Sequence, residues 1–203
     1  MPERLLVASN NAGKLREFGS LLGALGIIVV PQGELAIPEA AEPYPSFVEN
    51  ALAKARHAAQ LSGLAALADD SGLCVDALDG APGVQSARYA GEPRDDARNN
   101  AQLLAALAQR GATAPRARTA RFVCTLVLVR RSDDPDPLVA QGRWHGRIAL
   151  QPAGSGGFGY DPLFELPELG CTSAELPAGR KNQLSHRAQA LPRLLVQLRA
   201  EQS

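Results

Sequence analysis

Long apolar stretches are missing from this sequence, and so is an excess of charge of either sign. No apolar run approaches the roughly 20 residues that a membrane-spanning helix needs. The short apolar run after Arg4 has neither the length nor the basic flank of a signal peptide. Basic and acidic residues number 21 each, so overall charge gives no attraction to nucleic acid or an anionic membrane. We therefore expect a cytoplasmic protein with neither nucleic acid nor a membrane as a partner.

Cysteine and histidine are also scarce, with three of each. Cys74, Cys124 and Cys171 are odd in number, show no C-x-x-C spacing and lie among apolar or small residues. This pattern favours buried thiols in a reducing cytosol over disulfides. His57 and His145 have no second histidine or cysteine at ligand spacing, which argues against a zinc site.

The order of the apolar segments indicates an α/β protein. With 203 residues, 45% of them apolar, the chain suits a single domain at 1–203 with a sizeable core. Strands alternate with helices in the first half and cluster in the second, which favours a mixed sheet in two lobes around a cleft. Pro192 is expected to kink or split the last helix. The predicted strands are 5–8, 27–30, 65–69, 73–77, 118–131, 138–144 and 146–150. One helix is predicted to begin after residue 14, and three more are predicted at 46–62, 95–109 and 184–198.

The most informative stretch is 68–73, Ala-Asp-Asp-Ser-Gly-Leu, where an apolar run stops at two adjacent carboxylates. In α/β folds, catalytic and ligand groups concentrate at the C-terminal ends of strands. Two like charges side by side are tolerated best when a cation shares them, and Mg²⁺ prefers such oxygen ligands. An ordinary acidic turn at the end of a strand is the alternative interpretation.

A second candidate is the loop at 9–14, Ser-Asn-Asn-Ala-Gly-Lys, between a predicted strand and a predicted helix. Such a loop presents backbone N–H groups and one lysine to a phosphate. It is not a Walker A motif, because Ala8 stands at the first glycine position and Leu15 follows Lys14. A plain strand–helix loop with a solvated lysine is the alternative.

The third candidate is the glycine-rich segment 154–159, which matches G-x-G-x-x-G. Pro162 prevents the helix that a dinucleotide site requires at this point. We expect a flexible loop that presents Phe158, Tyr160 and Asp161 to a flat ligand, because aromatic rings stack on bases and a carboxylate accepts from ring N–H groups. A glycine-rich hairpin with buried aromatic side chains is the alternative.

Basic side chains near two helices complete the set of candidates. Lys181, His186 and Arg187 cluster near the start of the last helix, with Lys181 expected on the loop before it. Lys54 lies on the polar face of the helix at 46–62. The residues alone leave open whether these side chains line a site or are simply solvated.

The motifs in this order resemble the inosine triphosphate pyrophosphatase family, also called the non-canonical purine nucleoside triphosphate pyrophosphatases, and its bacterial branch most closely. The resemblance covers residues 4 to 199. Six motifs carry it: Ser-Asn-Asn-Ala-Gly-Lys at 9–14, Ser-Phe-Val-Glu-Asn-Ala-Leu-Ala-Lys-Ala at 46–55, Ala-Asp-Asp-Ser-Gly-Leu at 68–73, Gly-Ala-Pro-Gly-Val-Gln-Ser-Ala-Arg-Tyr at 80–89, Gly-Gly-Phe-Gly-Tyr-Asp-Pro-Leu-Phe at 156–164 and Ser-His-Arg at 185–187.

The resemblance implies a mixed α/β fold with an elongated central sheet and flanking helices, in two lobes around a substrate cleft. It also implies a homodimer, whose interface we expect near Val84–Tyr89. The implied activity is Mg²⁺-dependent hydrolysis of ITP, dITP and XTP to the monophosphate and pyrophosphate, which clears deaminated purines from the nucleotide pool.

The resemblance further implies roles for individual residues. Asp70 would be the general base and a metal ligand, and Ser71 would touch the substrate. Lys54 is a weaker candidate for a phosphate contact. The residues that would grip the triphosphate are Ser9, Asn10, Asn11, Ala12, Gly13 and Lys14. Those that would hold the base are Phe158, Gly159, Tyr160 and Asp161, and those that would close over base and phosphates are Lys181, His186 and Arg187.

This chain departs from the family pattern at two places. The family often has glycine where Asn10 stands, and asparagine tolerates the left-handed backbone that a glycine could adopt there. The family commonly uses an acid from the 31–45 loop as a metal ligand, and here both Glu39 and Glu42 are available. We favour Glu42.

Two rival functions follow from the same residues. A Maf-like pyrophosphatase would act on modified pyrimidines, although the 158–161 loop and the Ser-His-Arg motif at 185–187 argue against it. A nucleotide-binding sensor without turnover would bind the same ligands.

Overall fold

The computed structural model describes residues 4–200, so residues 1–3 and 201–203 of the expected domain lie outside the described part. Its strands are β1 Arg4–Val7, β2 Ile28–Pro31, β3 Ala66–Val75, β4 Thr119–Val129, β5 Leu138–Ile148, β6 Phe164–Leu166 and β7 Cys171–Thr172. Its α-helices are α1 Ala12–Gly23, α2 Phe47–Ser62, α3 Asp96–Gln109, α4 Ala178–Leu184 and α5 His186–Ala200.

The strands form a seven-stranded sheet in the order β2-β1-β3-β4-β5-β6-β7. Strand β1 runs parallel to β2 and β3, whereas β6 is antiparallel to both β5 and β7. The predicted mixed α/β class is therefore confirmed. Strand β1 pairs with β3 only at Leu6–Ala66 and Val7–Leu67, so β3 continues past the point where β1 ends.

Local sequence explains where the first two helices begin and end. Asn11 is the N-cap of α1, and its Oδ1 accepts a hydrogen bond of 3.0 Å from the backbone N–H of Lys14. Ser46 caps α2 in the same way through the N–H of Glu49, as its capping-box sequence predicts. Helix α2 ends at Gly63, whose φ of 69° is the left-handed conformation that glycine adopts without a steric penalty.

Two predicted strand breaks are wrong. Most of the segments 65–69 and 73–77 lies in the single ten-residue strand β3, Ala66–Val75, which passes through the acid pair. Most of the segments 138–144 and 146–150 likewise lies in the single strand β5, which ends at Ile148. Gly146 does not end β5 but lets β6 approach, because a methyl group placed there would lie 2.6 Å from the carbonyl oxygen of Glu165.

The break in the last helical region is also misplaced in the prediction. Ser185, with extended backbone (φ −62°, ψ 161°), separates α4 from α5. Pro192 lies inside α5, which continues to Ala200. None of the helices among residues 4–200 is long and apolar enough to span a membrane.

The chain divides into two compact units. Among the described residues, the first unit contains 4–70, Cys124–Gly142 and 186–200. In it, alternate residues of each strand face different helices, as the period of two requires. Side chains on one sheet face, such as those of Leu5 and Leu67, pack with α1 and α5, and those on the other face, such as Leu6 and Ala68, pack with α2.

The second unit contains Ser71–Val123 and Arg143–Ser185. Its core joins α3 to aromatic side chains of the strands, with the ring of Phe164 4.5 Å from that of Phe122 and 5.4 Å from that of Trp144.

Candidate active site

The loop that follows β1 places its residues at the start of a helix. Ser9, Asn10 and Asn11 connect β1 to α1, and Ala12, Gly13 and Lys14 form the first turn of α1. The N-terminus of an α-helix points N–H groups and the positive end of its dipole outward, which suits an anion. The sequence-predicted phosphate loop thus has the backbone geometry that its proposed role needs.

Asn10 does not have the left-handed backbone that was considered for this position. The positive-φ non-glycine residues in the described chain are Ala36 and Asp79, so Asn10 does not adopt a left-handed backbone. Its side chain lies against the 3₁₀ turn at Gln32–Leu35, where a methyl group placed on Gly33 would lie 2.9 Å from Asn10 Oδ1. The extra side chain at position 10 is accommodated because position 33 has none.

Asp69 is fully buried and surrounded by cations. Its Oδ2 accepts a hydrogen bond of 2.7 Å from Nε of Arg187, and Nζ of Lys14 lies 3.5 Å from the same oxygen. Arg187 in turn donates from Nη1 to Oε2 of Glu17, at 2.7 Å. These partners come from α1 and α5, the helices on the face of the sheet to which Asp69 points. The structure therefore places Arg187 in a buried network that holds Asp69, where it is 2% exposed.

Asp70 points to the opposite face, toward α2. Its Oδ1 lies 3.4 Å from Nζ of Lys54, and the same Nζ donates to Oε1 of Glu42 at 2.7 Å. The Oδ2 atom of Asp70 is buried and has no hydrogen-bond partner among the described residues. A buried carboxylate oxygen without a partner is costly unless a ligand, metal or water completes it.

The surroundings shift the pKa values of Asp69 and Asp70 in opposite directions. Burial alone would raise the pKa of Asp69, but Arg187 and Lys14 outweigh burial and hold this pKa well below its usual range. Burial raises the pKa of Asp70, because the attraction of Lys54 compensates only part of the lost hydration. The surroundings of Asp69 thus favour its ionised form, whereas those of Asp70 favour its protonated form.

The pKa values of the two lysines nearest these carboxylates, Lys14 and Lys54, are also shifted in opposite directions. Burial lowers the pKa of Lys14, although the nearby carboxylate of Asp69 partly offsets that effect. Burial would lower the pKa of Lys54 as well, but the carboxylates of Asp70 and Glu42 raise it above its usual value. Lys54 therefore stays charged between its two acids.

The carboxylates of Asp70 and Glu42 fit a magnesium ion. Among residues 4–200, no group of three or more histidine, cysteine, aspartate or glutamate side chains forms a ready metal cage. Mg²⁺ does not require one, because it is commonly held by one or two carboxylates together with waters and substrate phosphates. Asp70 offers an oxygen without a partner, and Glu42 shares Lys54 with Asp70. Glu39 is exposed.

A second cluster of predicted residues occurs in the second unit. Asp161 is 3% exposed, and its Oδ2 lies 2.6 Å from Nζ of Lys181. The same oxygen accepts the N–H of Phe158 at 2.8 Å, and Oδ1 accepts the hydroxyl of Ser173 at 2.7 Å. With three protein donors, this carboxylate keeps about one of its four acceptor positions for a ligand.

The ring of Phe158 belongs to the same cluster. The ammonium of Lys181 lies 5.0 Å from the centroid of this ring, within cation–π range. Lys181 was predicted on a loop, but it lies in α4. The hydroxyl of Tyr160 donates to the carbonyl oxygen of Ser86 at 2.9 Å, so Tyr160 anchors the loop within the second unit.

Two predicted site residues, Ser71 and His186, lie directly beside residues of the acid pair's network. Ser71 follows Asp70 directly on β3 and is half-buried. His186 is buried as the first residue of α5, next to Arg187. In the first unit, Lys14 and Arg187 thus contact Asp69, and Lys54 lies between Asp70 and Glu42 on the other face of the sheet. In the second unit, Phe158, Asp161 and Lys181 form one group.

Sequence reasoning missed several residues of these clusters. Glu17 occurs in α1 among apolar side chains, where an acid that is 9% exposed needs a buried partner. Position 17 lies off the apolar face that Leu15, Phe18 and Leu22 form, so the amphipathic pattern does not mark it as buried. Ser173 and its contact with Asp161 left no sign either, because a serine between small residues is ordinary in a loop.

Comparisons with known proteins identify the family. The family model described as the Ham1 family matches residues 5–197. The chain is 62% identical over 198 residues to a dITP/XTP pyrophosphatase of Aromatoleum aromaticum, with 98% of each chain covered. It is 59% identical over 199 residues to a dITP/XTP pyrophosphatase of Ralstonia nicotianae, with 97% of this chain and 96% of the relative covered.

A solved structure also supports membership of the Ham1 family. The structure of a HAM1 protein from Coxiella burnetii superposes with a TM-score of 0.88 at 46% identity, over 97% of this chain and 98% of that one. The resemblance predicted from the six motifs is confirmed by relatives that span the whole chain. This protein belongs to the Ham1 family.

Proposed function

We propose that this protein hydrolyses the non-canonical purine nucleoside triphosphates ITP, dITP and XTP to the monophosphate and pyrophosphate, with Mg²⁺. The names of its relatives support the substrate class. The acid pair beside two lysines supports phosphoryl chemistry, and the aromatic loop at 158–161 supports a purine ligand. The cell would use such an enzyme to clear deaminated purines from its nucleotide pool.

The first unit supplies the residues for the triphosphate. The first turn of α1 and Lys14 bind the anionic oxygens of the triphosphate. Lys54, beside Asp70, neutralises negative charge on the same group. Asp70 and Glu42 would hold Mg²⁺, which when bound supplies Lewis acidity and orients a water. Asp70 accepts or positions the proton of that water through its carboxylate. Arg187 has an indirect role, because its guanidinium holds Asp69 in place rather than binding the substrate.

The second unit supplies the residues for the base. Phe158 offers a ring on which a purine stacks, and Lys181 lies beside that ring as a donor for a 6-oxo group. The remaining acceptor position of Asp161 suits the protonated N1 of ITP and XTP. ATP presents an amino group and an unprotonated N1 instead, so it leaves polar groups of the site unpaired.

Two features of the working enzyme complete the proposal. We expect a homodimer whose interface lies near the segment Val84–Tyr89. Light scattering at micromolar concentration tests the oligomeric state, and a monomer alone would count against the dimer. We also place the enzyme in the cytoplasm. Its described cysteines, Cys74, Cys124 and Cys171, are free thiols, which suits a reducing compartment.

The observation that carries the proposal is the carboxylate of Asp70, whose Oδ1 lies 3.4 Å from Nζ of Lys54 and whose buried Oδ2 has no hydrogen-bond partner among residues 4–200. The experiment is a panel of ITP, dITP, XTP, ATP, GTP and modified pyrimidine triphosphates, with and without Mg²⁺, and with products resolved by chromatography. We expect Mg²⁺-dependent pyrophosphate release from the first three. Preference for modified pyrimidines would favour a Maf-like enzyme, and binding without turnover would favour a sensor.

A further inference from the structure

Gly159 is held at both of its backbone polar groups by one helix. Its N–H donates to Oδ2 of Asp96 at 2.7 Å, and its carbonyl oxygen accepts from Nδ2 of Asn100 at 2.9 Å. Gly159 has a φ of 62°, a left-handed conformation that glycine enters and leaves freely. The two side chains therefore restrain a residue that has little conformational preference of its own.

The restraint comes from a rigid element. Asp96 and Asn100 are four residues apart on α3, so they project from the same face. Nδ2 of Asn100 also donates to the carbonyl oxygen of Asp96 at 2.8 Å, which fixes the direction of the amide. Helix α3 begins at the N-cap Asp95, whose Oδ1 accepts the N–H of Arg98 at 2.8 Å.

The restraint acts on the aromatic ring next to Gly159. The N–H of Phe158 is held by Asp161, and the following N–H, that of Gly159, is held by Asp96. The backbone on both sides of the Phe158 side chain is thus fixed, and the ring keeps its place beside Lys181. The glycine-rich sequence predicts a flexible loop here, but these hydrogen bonds restrain its backbone at Phe158 and Gly159.

We infer that Asp96 and Asn100 are positioning residues that fix the Phe158 ring for stacking on a purine and so help to set the base preference. This inference rests on the proposed function, in which the 158–161 loop binds the base. A loop that is already ordered loses less conformational entropy when the ligand binds. The N–H of Phe158 also holds Asp161, so a loosened loop would displace the carboxylate that distinguishes N1–H of ITP from the unprotonated N1 of ATP.

Asp96→Ala tests the clamp, and Asp95→Ala is its matched control. Both variants remove an acid at the start of α3, but Oδ1 of Asp95 accepts from the N–H of Arg98 within the helix, whereas Oδ2 of Asp96 accepts from the N–H of Gly159. Hydrogen exchange of the fragment that contains Phe158 and Gly159 should be faster in Asp96→Ala and unchanged in Asp95→Ala. This measurement needs no substrate.

Kinetics test the consequence for the substrate. We expect Asp96→Ala to lower kcat/KM for ITP about tenfold, the effect of one hydrogen bond to a charged group, and mainly through KM. The ratio of kcat/KM for ITP to that for ATP should fall in Asp96→Ala and hold in Asp95→Ala. Asn100→Ala should act in the same direction, and it replaces Asp96→Ala if that variant does not fold.

Three results would overturn parts of this account. Unchanged exchange in both Asp96→Ala and Asn100→Ala would refute the clamp. Faster exchange with an unchanged ITP-to-ATP ratio would refute its role in base preference. No turnover of ITP by the unmodified protein would refute the proposed function, and the exchange comparison would then decide the clamp by itself.

Discussion

The two charged clusters of this protein differ in how completely their carboxylates are satisfied. In the second unit, Asp161 is matched by the N–H of Phe158, the hydroxyl of Ser173 and the ammonium of Lys181. In the first unit, Asp69 also has charged partners, yet a buried oxygen of its neighbour Asp70 has no partner among residues 4–200. A carboxylate with protein donors on both oxygens is held in place, and a buried oxygen without any partner indicates where a ligand completes the site.

The largest expected effect is on stability, from Asp69, the carboxylate of the first unit that Arg187 and Lys14 hold. Asp69→Asn leaves the buried Arg187 with one anionic partner fewer, which should lower the free energy of unfolding by about 3–5 kcal/mol. Urea denaturation measures this loss. Asp133→Asn is the control, because Asp133 pairs with Arg131 at an exposed position and its loss should change stability little. Equal stability of the two variants would contradict the assigned role of Asp69.

The second prediction concerns base choice. We expect ITP and XTP to exceed ATP by at least about a hundredfold in kcat/KM, since sites built on hydrogen bonds discriminate strongly. Asp161→Ala should narrow this gap, because it releases Lys181 and removes an acceptor for N1–H. Ser173→Ala keeps the ion pair with Lys181 and should narrow the gap less. Equal hydrolysis of ATP and ITP by the unmodified protein would argue for a general nucleotide hydrolase.

The third prediction separates the two acids of the 31–45 loop. Glu42→Gln should raise the Mg²⁺ concentration needed for half-maximal activity by about tenfold, in the range that follows loss of a metal-site interaction. Glu39→Gln is the matched control and should leave the Mg²⁺ requirement unchanged. The opposite pattern would assign the metal ligand to Glu39.

The smallest expected effect is a difference in acid sensitivity. The pKa of Asp69 is lowered in the folded protein, so its contribution to stability is present above its unfolded pKa of about 3.9 and is lost as the pH falls further. The pKa of Asp70 is raised, so its contribution has the opposite sign and is lost as the pH rises. Between about pH 6 and pH 3, the unmodified protein should therefore lose more stability than Asp69→Asn does. Equal losses in urea titrations would contradict this assignment.

Periodicity and capping residues predicted most of the fold. Ser46 and Glu49 gave the start of α2, and the apolar alternation from 118 to 131 gave β4. The errors have a common cause, because they arise where tertiary contacts override a local break. Strand β3 passes through two acids because lysines and an arginine neutralise them, and β5 passes through Gly146 because β6 packs there.

The candidate site was predictable to the extent that its motifs carry family resemblance. The partners of those motif residues were not predictable, since they depend on which side chains meet in space. Arg187 was expected to close over the substrate, but its 2% exposure and its bonds to Asp69 and Glu17 assign it to the support of the acid pair. No local pattern links positions 17, 69 and 187.

The most direct test compares Asp70→Asn with Asp69→Asn in both turnover and stability. Asp70→Asn should cut turnover by at least about a hundredfold, as loss of a general base does. It should not lower the free energy of unfolding at neutral pH, because the buried carboxylate is only partly compensated and asparagine is nearly isosteric. Asp69→Asn should instead lose stability, with a smaller loss of turnover in whatever remains folded. A folded Asp70→Asn variant with near-normal turnover would contradict the account.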